Sequence, residues 1–168
     1  AAAGQMFISG SDGNDSIRDW QYARDATSRT IEMGAGDDII DSVNITFANI
    51  ENGFIYGGDG NDTIGGGVIG TVYGGEGDDH FTMTNFETTA GFRFDYGGAG
   101  DDTFDVIRSN YFIYAYGGDG HDRVNVLDHR SDYTLYGDGP LGIKEYYFAS
   151  TPGGIINVRN GVPATYLT

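Results

Sequence analysis

The chain of 168 residues has no cysteine, so a disulfide framework is excluded and the fold must be stapled in some other way. Its three prolines are too few for a proline-rich linker. It has one lysine, Lys144, and no G-x-x-x-x-G-K-[ST] around it, which excludes a phosphate-binding loop of that type. No apolar run is long enough for a membrane-spanning helix or for the core of a signal peptide. Basic residues are scarce, 9 against 25 acids, and the formal charge of −16 makes nucleic acid a poor partner. Helical periodicity is missing beyond a turn or so, with residues 18 to 29 the one stretch read as a short exception.

What the chain has in excess is glycine, 29 residues of it, arranged in six near-copies of one motif. They read GSDGNDSI (10–17), MGAGDDII (33–40), GGDGNDTI (57–64), GGEGDDHF (74–81), GGAGDDTF (97–104) and GGDGHDRV (117–124). The sixth place is always aspartate: Asp15, Asp38, Asp62, Asp79, Asp102 and Asp122. The eighth is always apolar: Ile17, Ile40, Ile64, Phe81, Phe104 and Val124. A unit that repeats one carboxylate and one core residue at fixed places predicts a stack of coils. Glycine at the first, second and fourth places is expected to admit φ > 0 and to turn carbonyls inward. Carbonyls and carboxylates are the hard oxygen ligands that Ca²⁺ takes six to eight at a time, so two stacked loops would have to share each ion.

These residues resemble the RTX family, the G-G-x-G-x-D-x-U-x repeats of secreted bacterial proteins. The resemblance covers residues 10–124, with a worn seventh copy, YGDGPL (136–141), that lacks the sixth-place aspartate. It implies an all-β fold, a right-handed parallel β-roll or β-helix solenoid with one row of calcium loops. It implies carboxylate ligands at the six aspartates and carbonyl ligands at Ser11, Gly13, Gly34, Gly36, Gly57, Gly58, Asp59 and Gly60. In the later loops the same places are Gly74, Gly75, Glu76, Gly77, Gly97, Gly98, Ala99, Gly100, Gly117, Gly118, Asp119 and Gly120. In rolls of this kind the first- and third-place carbonyls serve one ion, the second- and fourth-place carbonyls the next, and the aspartate bridges both. Six loops then imply about five Ca²⁺, whose ten positive charges would leave about six negative ones unbalanced.

The family also implies a secreted or cell-surface protein, exported by type I secretion machinery through an uncleaved C-terminal signal. Parents of such modules include adhesins, toxins, S-layer proteins, proteases, lipases and alginate epimerases. The expected role is a calcium-dependent folding and secretion module without catalysis of its own.

Spacing departs from the family pattern. Motifs start at 10, 33, 57, 74, 97 and 117, so the intervals are 23, 24, 17, 23 and 20 residues, and each is one coil. Calcium loops are therefore expected on one edge only, because the other half-coils contain no G-x-G-x-D. One domain is expected, with residues 1–141 as the roll and 142–168 as a C-terminal cap or secretion-related segment. Alternation at Val43, Ile45 and Phe47, and at Phe92 and Phe94, predicts half-buried strands. Asp95 breaks the inward column of Ile55, Val72, Ala115 and Leu135, which predicts either a turn toward solvent or a local bulge.

Tyr56, Tyr73, Tyr96, Tyr116 and Tyr136 each precede a loop, and alternation puts them on the outer face. Two roles fit such a column: a self-stacking ladder that stabilises the sheet, or a strip that binds polysaccharide through flat ring faces. Other chemistries fit less well. DGNDSIRDW lacks the glycine and the glutamate of an EF-hand loop. The pairs Asp37-Asp38, Asp78-Asp79 and Asp101-Asp102 recur with the coil, whereas a general acid and base belong to a single site. His80, His121 and His129 share no spacing that would make a metal site or a triad.

Overall fold

The computed structural model describes residues 5–18, 28–42, 53–66, 70–84, 92–109, 112–129, 133–136, 145–148 and 156–159. All regular structure among them is β. One sheet has eight strands: β1 (Gln5–Ser9), β3 (Ser28–Ala35), β5 (Gly53–Asp59), β7 (Gly70–Glu76), β9 (Phe92–Ala99), β11 (Phe112–Asp119), β13 (Tyr133–Tyr136) and β15 (Ile156–Arg159). The other has seven: β2 (Ser16–Arg18), β4 (Ile39–Ser42), β6 (Thr63–Gly66), β8 (His80–Thr84), β10 (Thr103–Ser109), β12 (Arg123–His129) and β14 (Glu145–Phe148). Every pairing is parallel and joins each strand to its counterpart one coil on. The fold is a parallel β-solenoid, as the repeat predicts.

The motif makes the turn from the first sheet to the second. From the second copy on, only residues 36–38, 60–62, 77–79, 100–102 and 120–122 separate consecutive strands of the two sheets at this edge. The unequal coil lengths are taken up elsewhere, between each even strand and the next odd one, so register at the motif edge is kept. β14 and β15 fall in segment 142–168 and add to the same two sheets. Arg18 ends β2 and Ser28 and Arg29 begin β3, so both ends of the stretch read as helical are strand; residues 19–27 lie outside the described residues. Val43, Ile45, Phe47 and residues 137–141 also lie outside them. Among the described residues, no helix is long and apolar enough to cross a membrane.

The core is a set of columns one side chain wide. Ile40, Ile64, Phe81, Phe104 and Val124, the eighth-place residues of the second to sixth motifs, are 0–1% exposed, whereas Ile17 of the first is only half-buried, and Phe81 stacks on Phe104 with ring centroids 4.7 Å apart. Ile31, Ile55, Val72 and Ala115 face them from the first sheet. Between Val72 and Ala115 comes Asp95, and the structure corrects both expectations for it. It is fully buried, and the register through β9 is unbroken from Phe92 to Tyr96. Its partner is Arg93, two residues away on the same inner face, whose Nε lies 2.9 and 2.8 Å from the two carboxylate oxygens and whose Nη1 donates to the Gly66 carbonyl at 3.0 Å. Buried Gly53 and Gly70 occupy the positions before Arg93 in its column, leaving room for the long side chain. β9 is thus the half-buried strand that Phe92 and Phe94 predict, but with charge inside and Phe94 stacked outside on Tyr114 at 4.8 Å.

Truncating the stacked pair tests this core. Phe81→Ala should lower stability by about 3–5 kcal/mol, the usual range for a buried phenylalanine. Thermal and denaturant melts of the two proteins in the same buffer would check it.

Candidate metal centre

Each sixth-place aspartate is held in the same way. The N–H of Asp15 donates to Asp38 Oδ1 at 2.7 Å, that of Asp38 to Asp62 at 2.8 Å, and that of Asp62 to Asp79 at 2.8 Å. Asp79 continues to Asp102 and Asp102 to Asp122, both at 2.9 Å. The side chain of one coil therefore reaches back to the main chain of the coil before it. The second oxygen, Oδ2, of Asp38, Asp62, Asp79 and Asp102 is buried and has no hydrogen-bond partner. A buried carboxylate oxygen in that state is costly unless a cation or a proton meets it.

The surroundings of these oxygens are set by glycine. A Cβ on Gly57 would collide with Asp62 Oδ2 and would stand 2.7 Å from the Gly74 carbonyl oxygen. Gly74 meets Asp79 Oδ2 and the Gly97 carbonyl in the same way, and Gly97 meets Asp102 Oδ2 and the Gly117 carbonyl. Glycine is thus needed for space at Gly57, Gly74 and Gly97, whereas the second loop carries buried Met33 at the first place, and the expectation of φ > 0 there is corrected. Positive φ belongs to the second and fourth places, as at Gly75 (132°) and Gly77 (121°). Between the third and fourth loops, the Gly58 and Gly60 carbonyls point toward Gly75 and Gly77. From the other side the Gly74 carbonyl faces back, and the Glu76 carbonyl accepts the Gly60 N–H at 2.7 Å. Each of the three gaps from the third loop to the sixth so brings together four carbonyls from two loops, and Asp79 straddles two of these gaps, Oδ1 turned to one and Oδ2 to the other. Asp59 and Glu76 pair in register, as do Glu76 and Ala99, and Ala99 and Asp119.

No three Asp, Glu, His or Cys side chains converge among the described residues, since each loop offers one buried carboxylate and the remaining oxygens are main-chain. The first loop differs. Asp15 Oδ2 accepts from the Ser11 N–H at 2.6 Å and from Ser11 Oγ at 3.0 Å, so the serine at the second place satisfies the oxygen that later loops leave bare. Gly13 has open space around it.

A second ladder escaped the sequence reading. Fifth-place side chains accept the fifth-place N–H of the following coil: Asn14 from Asp37 at 3.0 Å, Asp37 from Asn61 at 2.9 Å, and Asn61 from Asp78 at 2.7 Å. Asp78 and Asp101 do the same for Asp101 and His121, both at 2.8 Å. It runs opposite in sense to the inner ladder. Its signal was the Asn or Asp that precedes the fixed aspartate in five of the six motifs. Of the histidines, His80 on the outer face of the second sheet contacts Asp105 at 2.9 Å, and Asn125 donates to the same carboxylate at 2.6 Å. The His80–Asp105 hydrogen bond raises the His80 pKa and lowers that of Asp105.

Tyr56, Tyr73, Tyr96 and Tyr116 lie outward, as alternation requires. Tyr56 and Tyr73 stack at 5.0 Å, Tyr73 and Tyr96 at 5.0 Å, and Tyr96 and Tyr116 at 4.6 Å, with planes 5–14° from parallel. Tyr136 pairs in register with Tyr116. Compared with family models, with curated proteins and with solved structures, the chain finds no match.

Burial, joined by repulsion from neighbouring acids, raises Asp62 to about 6, Asp79 to about 7 and Asp102 to about 8, from an ordinary 3.8. Folding of the metal-free chain therefore takes up protons. Its contribution from these groups is full below about 3.8 and is lost as pH rises through about 6, 7 and 8. In chelator, melting temperature and β-sheet circular dichroism should be higher at pH 5 than at pH 8; the opposite slope would show that these carboxylates are not buried without a partner. Two glycines give a second check. Gly74→Ala should cost roughly 1–3 kcal/mol from overlap, whereas Gly65→Ala, whose nearest neighbours stand at 3.7 Å, should be neutral within about 1 kcal/mol.

Proposed function

We propose that this chain is a calcium-binding module whose folding depends on the ion, of the RTX type, belonging to a larger extracellular bacterial protein. The observation that carries the reading is the row of buried Oδ2 atoms without partners, those of Asp62, Asp79 and Asp102 each beside a main-chain carbonyl of the next loop. A hard divalent cation fits such a donor set, because it takes oxygen ligands in number and tolerates irregular geometry. Asp38, Asp62, Asp79 and Asp102 would hold it with the carbonyls of the adjoining loops. The ion supplies charge neutralisation and cross-links neighbouring coils. The carboxylates must shed their protons to accept it, so ion and proton compete for the same oxygens.

The energetics favour a switch. Extracellular calcium modules have dissociation constants of about 10⁻⁴ to 10⁻³ M. At roughly tenfold excess, each site adds about 1.4 kcal/mol and five sites about 7. That is comparable with a domain's whole stability of about 5–15 kcal/mol. Where free calcium is scarce the chain stays unfolded and fit for export, and outside the cell it folds. This reading gives the module a structural and secretion role, with no catalysis of its own. The ring geometry bears on the polysaccharide alternative: the flat faces a sugar would need are turned to one another, which favours a structural ladder.

Chelation should abolish the β-sheet circular dichroism of the chain at neutral pH, and calcium should restore it. An unchanged spectrum and melt would defeat the proposal. By isothermal titration, Asp79→Ala should weaken two neighbouring sites and Asp15→Ala at most one, since Asp15 already has Ser11 as a partner. Loss of a charged ligand is worth about 1.5–3 kcal/mol. Equal losses would show that the loops do not share ions in one row.

A further inference from the structure

The tyrosine column has chemistry that neither calcium binding nor sheet stability uses. Tyr56, Tyr73, Tyr96 and Tyr116 form an unbroken series on the outer face, each ring 4.6–5.0 Å from the next and within 14° of parallel. Strand register fixes these neighbours, since Tyr56 pairs with Tyr73, Tyr73 with Tyr96 and Tyr96 with Tyr116 across parallel ladders. Tyr56 is 37% exposed and the others lie on the same open face. The chain contains no thiol to intercept an oxidant first.

We propose that this column is a site of oxidative cross-linking, in which neighbouring tyrosines join as dityrosine under a peroxidase and hydrogen peroxide. Each phenol gives up one electron and its hydroxyl proton. Two adjacent phenoxyl radicals then couple through ring carbons ortho to oxygen, and the two ortho hydrogens move to the oxygens as the rings regain aromaticity. The pair loses two hydrogen atoms in all, and one hydrogen peroxide becomes two waters. Stacking favours the reaction because the second radical forms where the first already has a partner within one strand spacing, which replaces a bimolecular encounter by a positioned one. Two outcomes are open to Tyr73 and Tyr96, each having a tyrosine on either side, and one to Tyr56 within the described residues. The product is a covalent bond between coils in a protein that has no disulfide.

The test is oxidation of the calcium-loaded chain by peroxidase and hydrogen peroxide at low protein concentration. Dityrosine fluorescence, the intact mass and the linked peptides would be read. Monomeric protein lighter by two hydrogens per link is expected, with links mapping to Tyr56–Tyr73, Tyr73–Tyr96 or Tyr96–Tyr116. A second protein, Tyr73→Phe/Tyr116→Phe, keeps every ring in the stack but leaves no two described tyrosines of this column adjacent. It should fold as before and give about tenfold less intramolecular dityrosine, although ten of its 12 tyrosines remain. Equal yield from that variant, equal yield from the chain unfolded in urea, links only between molecules, or links mapping elsewhere would each overturn the proposal.

Discussion

Carboxylates buried one coil apart along a single edge are the constraint on which the rest of this structure depends. Each fixes the coil before it through a hydrogen bond of 2.7–2.9 Å to a main-chain N–H. Each from Asp38 to Asp102 also leaves an oxygen facing inward with nothing to accept from. Like charges at this spacing repel, and burial removes the water that would screen them. The turn geometry follows from that demand. Glycine clears the space beside the carboxylate at the first place and takes positive φ at the second and fourth, so that carbonyls from both sides close on the same gap. The sheets inherit their register from the turns, and the core columns inherit theirs from the sheets.

Much of this was legible because the motif carries two periodicities at once. The fixed aspartate and the fixed apolar residue predicted a stack, and Ile40, Ile64, Phe81, Phe104 and Val124 form a fully buried column of the second sheet. What escaped was decided by contacts between coils, which no single motif contains. The need for glycine at Gly57, Gly74 and Gly97 comes from the next loop's carbonyl and the loop's own carboxylate, whereas conformational freedom was the reason expected. Asp95 looked like an outlier because the column was read strand by strand. Its partner Arg93 lies two residues away, and room for the arginine comes from Gly70 in the neighbouring coil. The alternation of Phe92 and Phe94 marked the strand correctly, yet period alone does not say which face is inside. Ser11 alters the first loop by a single hydroxyl and one N–H, a change visible only beside Asp15.

Ring stacks run along both sheets: Phe81 on Phe104 on the inner face of the second, and Phe94 on Tyr114 and the tyrosine series on the outer face of the first. Parallel in-register strands place equivalent side chains one spacing apart, which suits flat rings and is hostile to like charges. The same geometry that makes the aspartate row unfavourable makes the tyrosine column cohesive. The row of aspartates and the column of tyrosines occupy different parts of the coil for that reason, the aspartates among main-chain carbonyls at the motif edge and the tyrosines on the outer face of the first sheet.

The two edges of the coil also differ in what they let the gene do. At the motif edge a fixed three-residue link joins the sheets from the second coil on, and a codon gained or lost there would displace a carboxylate from its row. At the opposite edge the link between strands ranges from residues 110–111 to residues 43–52, and the cost is no more than a local register shift, at Ile107 and Ser109 of β10 against β12, while β3 and β5 stay in register beside the longer link. Insertions and deletions are thus filtered by geometry: forbidden on one seam, nearly neutral on the other. A lineage of such proteins can diversify along the permissive seam, lengthening or decorating single coils, while the copied unit itself stays fixed.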